Sequence, residues 1–184
     1  MSGNDNDGKN IVLMTSGSIS AFKAATLASL LVKDGFHVQA VASEGCRRFL
    51  GDPTLEGLTG RPVLSDQFER GRALDHIKLA DWAHLLVLYP ASANRITRLR
   101  AGLADDLIGS LFLADNFRKP WWIAPAMNSN MFAHPAVTDA LRVLEDWGCR
   151  VLPTGEGRLA CGTVGYGRLL EPEDVFALIK EELG

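Results

Sequence analysis

Cysteine is scarce in this chain of 184 residues: Cys46, Cys149 and Cys161 are scattered, and no CxxC spacing occurs. A structural zinc site needs closely spaced thiolates, and a disulfide scaffold needs an even, dense set, so neither these nor any other metal site is indicated. An excess of basic residues is missing too. Lys and Arg number 19 against 22 Asp and Glu, a formal net charge of -3, which leaves no electrostatic footprint for nucleic acid. No apolar run reaches membrane-spanning length, and Met1-Ser2-Gly3-Asn4-Asp5-Asn6-Asp7 lacks the basic and apolar regions of a signal peptide. The expectation is a cytoplasmic chain with reduced thiols and no membrane partner. Two nucleotide fingerprints are also absent: no GxGxxG follows the first strand, and no GxxxxGK[ST] occurs anywhere.

What is present is an alternation of short apolar runs and helical patterns. With 47% hydrophobic residues, the length suits one domain with a substantial core. Residues 1–8 are polar and rich in Gly, Asn and Asp, and are expected to be a disordered lead-in to a single domain over 9–184. Ile11–Met14, Phe36–Ala42, His84–Tyr89, Trp121–Ala124 and Arg150–Pro153 read as strands. Helices are expected over about 22–31, near 46–50, over 75–83, from Ser92 or Ala93, over 104–113, over 135–147 and from Pro172. Most of 45–75 resists placement. The pattern predicts a single-domain α/β fold, a doubly wound, Rossmann-like or flavodoxin-like and mostly parallel sheet. Residues 154–171, crowded with glycine, predict a C-terminal flap or hairpin.

Parallel strands joined by helices bring their following loops to one edge, where open α/β sheets bind ligands. Those loops are Gly17–Ser20, Ser43–Gly45, Pro90–Asn94 and Pro125–Asn128, rich in hydroxyls and amides and poor in Lys and Arg. Such a set suits a phosphorylated cofactor held by neutral donors and helix N-termini, flavin mononucleotide or a sugar phosphate.

Five motifs in order carry a resemblance: Ser16-Gly17-Ser18-Ile19, Asp75-His76-Ile77, Pro90-Ala91-Ser92-Ala93-Asn94, Pro125-Ala126-Met127-Asn128-Ser129-Asn130-Met131 and Leu159-Ala160-Cys161-Gly162. On these the chain resembles the homo-oligomeric flavin-containing cysteine decarboxylases. The resemblance implies FMN bound by Ser18, Ile19, Ser20, Ser43, Glu44, Gly45, Ser92, Ala93, Asn94, Arg95 and Ala126. It implies His76 as a catalytic base, Cys161 as a catalytic acid, and Asn128 and Met131 as substrate-binding residues, with Asn128 on the substrate carboxylate. The implied reaction is FMN-dependent decarboxylation of 4'-phosphopantothenoylcysteine to 4'-phosphopantetheine, in coenzyme A biosynthesis. The cysteinyl thiol is oxidised to a thioaldehyde, the neighbouring carboxylate leaves as CO2, and the enethiol is reduced. A homotrimer, or a dodecamer built of trimers, is implied as well, with the flavin site between subunits.

Two other functions fit less well: oxidative decarboxylation of a peptide's C-terminal cysteine, for which Cys161 has no use, and a non-catalytic flavin-binding regulatory subunit. A flavin prenyltransferase is disfavoured by Asn128 and Cys161.

Plainer roles stand beside these. Without the resemblance His76 reads as a surface histidine at a helix start, and His37, His84 and His134 are read as histidines without a functional role. Asn is a preferred N-cap, so Asn128 can cap the next helix as well as meet a ligand. Met127 and Met131 suit packing, Asp105-Asp106 a helix cap or the flavin side, and Trp121 and Trp122 the core or a subunit interface. Thr163 and Phe132 depart from the Asp and the Trp or Tyr frequent in the family.

Overall fold

Period-two alternation in the strands decides the layering. In the computed structural model, which describes residues 8–65, 67–158 and 164–184, strand β1 (Asn10–Thr15) points Ile11 and Leu13 to one face and Val12 and Met14 to the other. Both faces are apolar, and a strand buried on both sides belongs inside a parallel sheet covered by helices. Helix α1 (Phe22–Lys33) covers the first face with Ala24, Leu27, Ala28 and Leu31, one stripe at helical spacing. Strand β2 (His37–Ala42) then pairs parallel with β1, from Asn10 opposite His37 to Thr15 opposite Ala42.

The short helix expected near 46–50 is α2 (Glu44–Arg47), and the stretch that resists sequence reading forms α3 (Asp52–Thr59) and one parallel bridge from Leu64 to Val41, which protects the β2 edge. Helix α4 (Asp75–Trp82) leads into β3 (Leu85–Ala91), which lies against β1. The strand was expected to stop at Tyr89 but continues through Pro90, because a register shift between Leu88 and Ala91 accommodates a residue with no N–H to donate.

Helices α5 (Ala93–Arg100) and α6 (Leu107–Asp115) follow and pack on the second face. Asp106 caps α6 by accepting the Gly109 N–H at 2.9 Å. Strand β4 (Trp121–Pro125) places Trp122 on the α1 face and Trp121 on the α6 face. Both tryptophans are core residues, and Trp121 Nε1 donates to the buried Asp115 carboxylate at 3.1 Å. The short α7 (Ser129–Phe132) and α8 (Pro135–Asp146) come next, with His134 Nδ1 accepting the Ala136 N–H at 3.1 Å to cap α8. Strand β5 is only Arg150–Val151, shorter than expected since Pro153 cannot continue the ladder.

The sheet order is β2-β1-β3-β4-β5, all parallel, the expected doubly wound fold. The glycine-rich region forms an antiparallel hairpin, β6 (Gly155–Arg158) with β7 (Val164–Arg168), and α9 (Pro172–Leu183) closes the first face. Cys46 and Cys149 are buried, and burial pushes their thiols up, to about 11 and about 12. The expected lead-in up to Asp7 and the Leu159–Gly162 motif with Cys161 lie outside the described residues. No helix among the described residues is long and apolar enough to cross a membrane.

One contact in this framework has no slack. A Cβ added at Gly109 would stand 2.1 Å from the Leu103 carbonyl oxygen, a backbone atom that cannot swing away. Gly109→Ala is therefore expected to cost about 3 kcal/mol through displacement of α6 from the preceding loop. Thermal unfolding should register it as a Tm lowered by roughly 5–10 °C, and an unchanged Tm would refute the packing argument.

Candidate functional site

Because β1 and β3 are neighbours whose chains leave toward opposite sides of the order, the crevice opens between their following loops. Ser16 ties those loops together. Its Oγ donates to the Pro90 carbonyl at 2.8 Å and accepts the Ser92 N–H at 2.8 Å. The loop after β1 also touches the loop after β2: a Cβ on Gly17 would lie 2.9 Å from the Gly45 carbonyl carbon, so only glycine permits this approach.

The ends of β1, β2, β3 and β4 hand over to helical turns through side-chain caps. Ser18 Oγ accepts the Ser20 N–H at 3.3 Å, Ser43 Oγ accepts the Cys46 N–H at 3.1 Å and Ser92 Oγ accepts the Arg95 N–H at 3.4 Å. Asn128 Oδ1 accepts the Met131 N–H at 2.8 Å. The capping role of Asn128 is thus realised, and it occupies only the oxygen. Its Nδ2 has no partner among the described residues and is free to donate into the adjoining space.

That space is a cleft of about 650 Å³. Ser18, Ile19, Ser20, Ser92, Ala93 and Ala126 line it with Asn128 and Met131, so most of the sequence-predicted residues converge. Its rim is apolar and open: Ile19 is 64% exposed, Phe22 57%, Phe49 54% and Met131 47%. Hairpin and crevice are joined where the Met127 N–H donates to the Gly167 carbonyl at 3.0 Å. Ser43 and Glu44 face a second, more charged cavity of about 470 Å³, shared with Arg47, Arg98 and Asp106. Gly45 meets the cleft only through its contact with Gly17.

Three predicted residues stand elsewhere. Asn94 is exposed on α5 and lines neither cavity. Arg95 is buried, and its guanidinium grips Asp106 in a two-pronged ion pair, Nη1 to Oδ1 at 2.9 Å and Nη2 to Oδ2. Burial raises the Asp106 carboxyl, yet the Arg95 hydrogen bonds and charge outweigh it and hold the group below the usual range. Arg95 therefore braces the turn between α5 and α6 with its side chain. His76, at the start of α4, lines neither cavity. The residue is half-buried, and its Nδ1 is buried without a partner among the described residues.

Lys23, Phe22, Phe49 and Arg168 also line the cleft, and sequence reasoning missed all four. Phe22 and Lys23 carried one signal, directly following the Gly17–Ser20 loop. Phe49 and Arg168 carried none, since α2's exit and the hairpin are positioned by tertiary contacts alone.

The Flavoprotein family model matches residues 1–184. The coenzyme A biosynthesis bifunctional protein CoaBC of Bacillus subtilis is 41% identical over 175 residues, 94% of this chain and 43% of that protein. The chain thus spans less than half the length of such bifunctional relatives. A probable phosphopantothenoylcysteine decarboxylase of Streptococcus mutans is 36% identical over 177 residues, covering 95% of this chain and 99% of the relative. Among solved structures, a cysteine-to-serine mutant of PPC decarboxylase complexed with pantothenoylaminoethenethiol superposes with a TM-score of 0.86 at 29% identity, over 95% of this chain and 97% of that one.

Proposed function

The chain belongs to the Flavoprotein family, and from that premise we propose that it decarboxylates 4'-phosphopantothenoylcysteine to 4'-phosphopantetheine with bound FMN, a step of coenzyme A biosynthesis. The observation that carries the reading is the cleft itself. It combines the hydroxyls of Ser18, Ser20 and Ser92, an apolar rim and the amide of Asn128, whose Nδ2 has no partner among the described residues. A phosphorylated flavin fits these residues: hydroxyls and backbone N–H groups suit its phosphate, and Ile19, Phe49 and Met131 offer apolar surface to a planar ring. Bound flavin supplies the two-electron oxidation and reduction that no side chain provides.

The protein's own residues then bind, orient and move protons. Asn128 Nδ2 donates to the substrate carboxylate, and a neutral amide orients that group without the charge attraction that would oppose its departure as CO2. His76 is the base, acting near neutral pH as histidine commonly does. Since it lines neither cavity, we assign it to the cleft of a neighbouring copy in a homotrimer, or in an assembly of trimers. The exposed apolar rim supports that placement, because Ile19, Phe22 and Phe49 would gain by being covered. Cys161 is the proposed acid for the reductive half, and the hairpin the element that excludes water. A cytoplasmic location completes the reading.

The test is mass spectrometry of products from 4'-phosphopantothenoylcysteine and from a cysteine-ending peptide, each given to the purified yellow protein. Expected is 4'-phosphopantetheine from the first, lighter than substrate by CO2 alone, and no product from the second. An unsaturated thiol from the peptide only would move the reading to peptide maturation. A colourless protein that takes up no FMN would end both.

A further inference from the structure

The geometry points to Lys23 and Arg168 as a phosphate subsite that selects the phosphorylated substrate, with Glu171 holding the two cations in place until a phosphate monoester arrives. This rests on the reading above, which names the substrate but not the groups that distinguish its phosphorylated end.

Both side chains line the cleft, and no Asp or Glu does so among the described residues. Lys23 projects from α1, only 14% of its side chain is exposed, and its Nζ donates to Glu171 Oε2 at 2.8 Å. Arg168, at the end of β7, donates from Nη2 to Glu171 Oε1 at 2.7 Å. One carboxylate therefore spans two cations, and the triad keeps a net charge of one positive unit. Among the described residues each cation also keeps donors in hand: an ammonium carries three N–H bonds and a guanidinium five, whereas one of each is taken up by Glu171.

A sheltered lysine beside an open cleft costs desolvation, which the fold repays only in part through a carboxylate that is itself 41% exposed. Lys23 and Arg168 hold the Glu171 carboxyl below its usual range, so the clamp is ionised at neutral pH. A phosphate monoester with about -1.5 to -2 charge and three strong acceptor oxygens matches the unused donors and the residual charge. The serines of the neighbouring loops bring no formal charge, so the selective step falls to this pair. Lys23 and Glu171 lie 148 positions apart in sequence, which is why the subsite is not legible before folding.

Two phosphates can reach the cleft, the cofactor's and the substrate's, and the experiment separates them. Holoenzyme, K23Q, R168Q and the double variant are titrated calorimetrically with 4'-phosphopantetheine and with pantetheine, which needs no turnover. FMN content is read from the 450 nm absorbance, and kcat/KM is measured for phosphorylated and dephosphorylated pantothenoylcysteine. Expected is a preference of the parent enzyme for the phosphorylated ligand of roughly 10-fold or more. The double variant should lose most of it, mainly through KM, and K23R should recover part.

If FMN content falls in proportion to the lost charge, the cations serve the cofactor phosphate and the proposal is overturned. Equal losses with both ligands would make the triad structural and overturn it as well. Failure of the parent enzyme to turn over either substrate defeats the decarboxylase reading alone. Calorimetric preference for the phosphorylated ligand, abolished in the double variant, would still uphold the subsite.

Discussion

His76→Asn is expected to lower the decarboxylation rate by roughly 10²–10⁴-fold, the usual contribution of a positioned acid–base group, while leaving the flavin bound. Asparagine keeps a polar side chain of similar reach at the second position of α4 but cannot exchange a proton in the neutral range. Among the described residues the fold offers the imidazole no partner at Nδ1, which is buried. A buried polar atom left unpaired costs stability, so its retention fits a group kept for chemistry. Rapid-mixing measurements of flavin bleaching by substrate, with circular dichroism to verify folding, would check this. A variant that bleaches at the parent rate leaves His76 as a surface histidine.

Asn128→Asp is expected to be nearly as damaging, through a different term. The side chain has two ends with two tasks. Oδ1 accepts the Met131 N–H at 2.8 Å and caps α7, and aspartate performs that task as well as asparagine. Nδ2, the end proposed to meet the leaving carboxylate, becomes a second carboxylate oxygen. Donor is replaced by like charge, so substrate affinity and rate should fall together by about 10²-fold or more, with Tm and FMN content near the parent values. Asn128→Ala would lose the cap too and blur that separation. A parent-like kcat/KM in the aspartate variant would remove Asn128 from substrate binding. Mixing subunits of the two variants tests the shared site: if His76 serves a neighbour's cleft, hybrid trimers regain one intact site and measurable activity. Inert hybrids would place both groups in one subunit.

Much of this protein was legible as local pattern. The alternation of Ile11 and Leu13 against Val12 and Met14 requires two apolar faces, hence a covered parallel sheet. The helix start at Ser92 or Ala93, the cap at Asn128 and the prolines opening α8 and α9 set element starts. Beyond the short helix near 46–50, residues 45–75 were not legible, because α3 is brief and the Leu64 bridge depends on reaching the β2 edge.

The site divides in the same way. Sequence alone determined which loops share the ligand-binding edge, since strand direction follows from helical crossovers, and it named the amide and most of the hydroxyls gathered there. Only the tertiary structure decided which of those groups face one space. It sent Ser43 and Glu44 to a second cavity, committed the Arg95 guanidinium to Asp106, kept His76 away from its own chain's cleft, and brought Lys23 and Arg168 in. Backbone direction is a local property, set by hydrogen-bond geometry and the period of apolar residues. The aim of a long side chain is settled by partners distant in sequence, and Glu171 becomes a neighbour of Lys23 only when α9 has packed against α1.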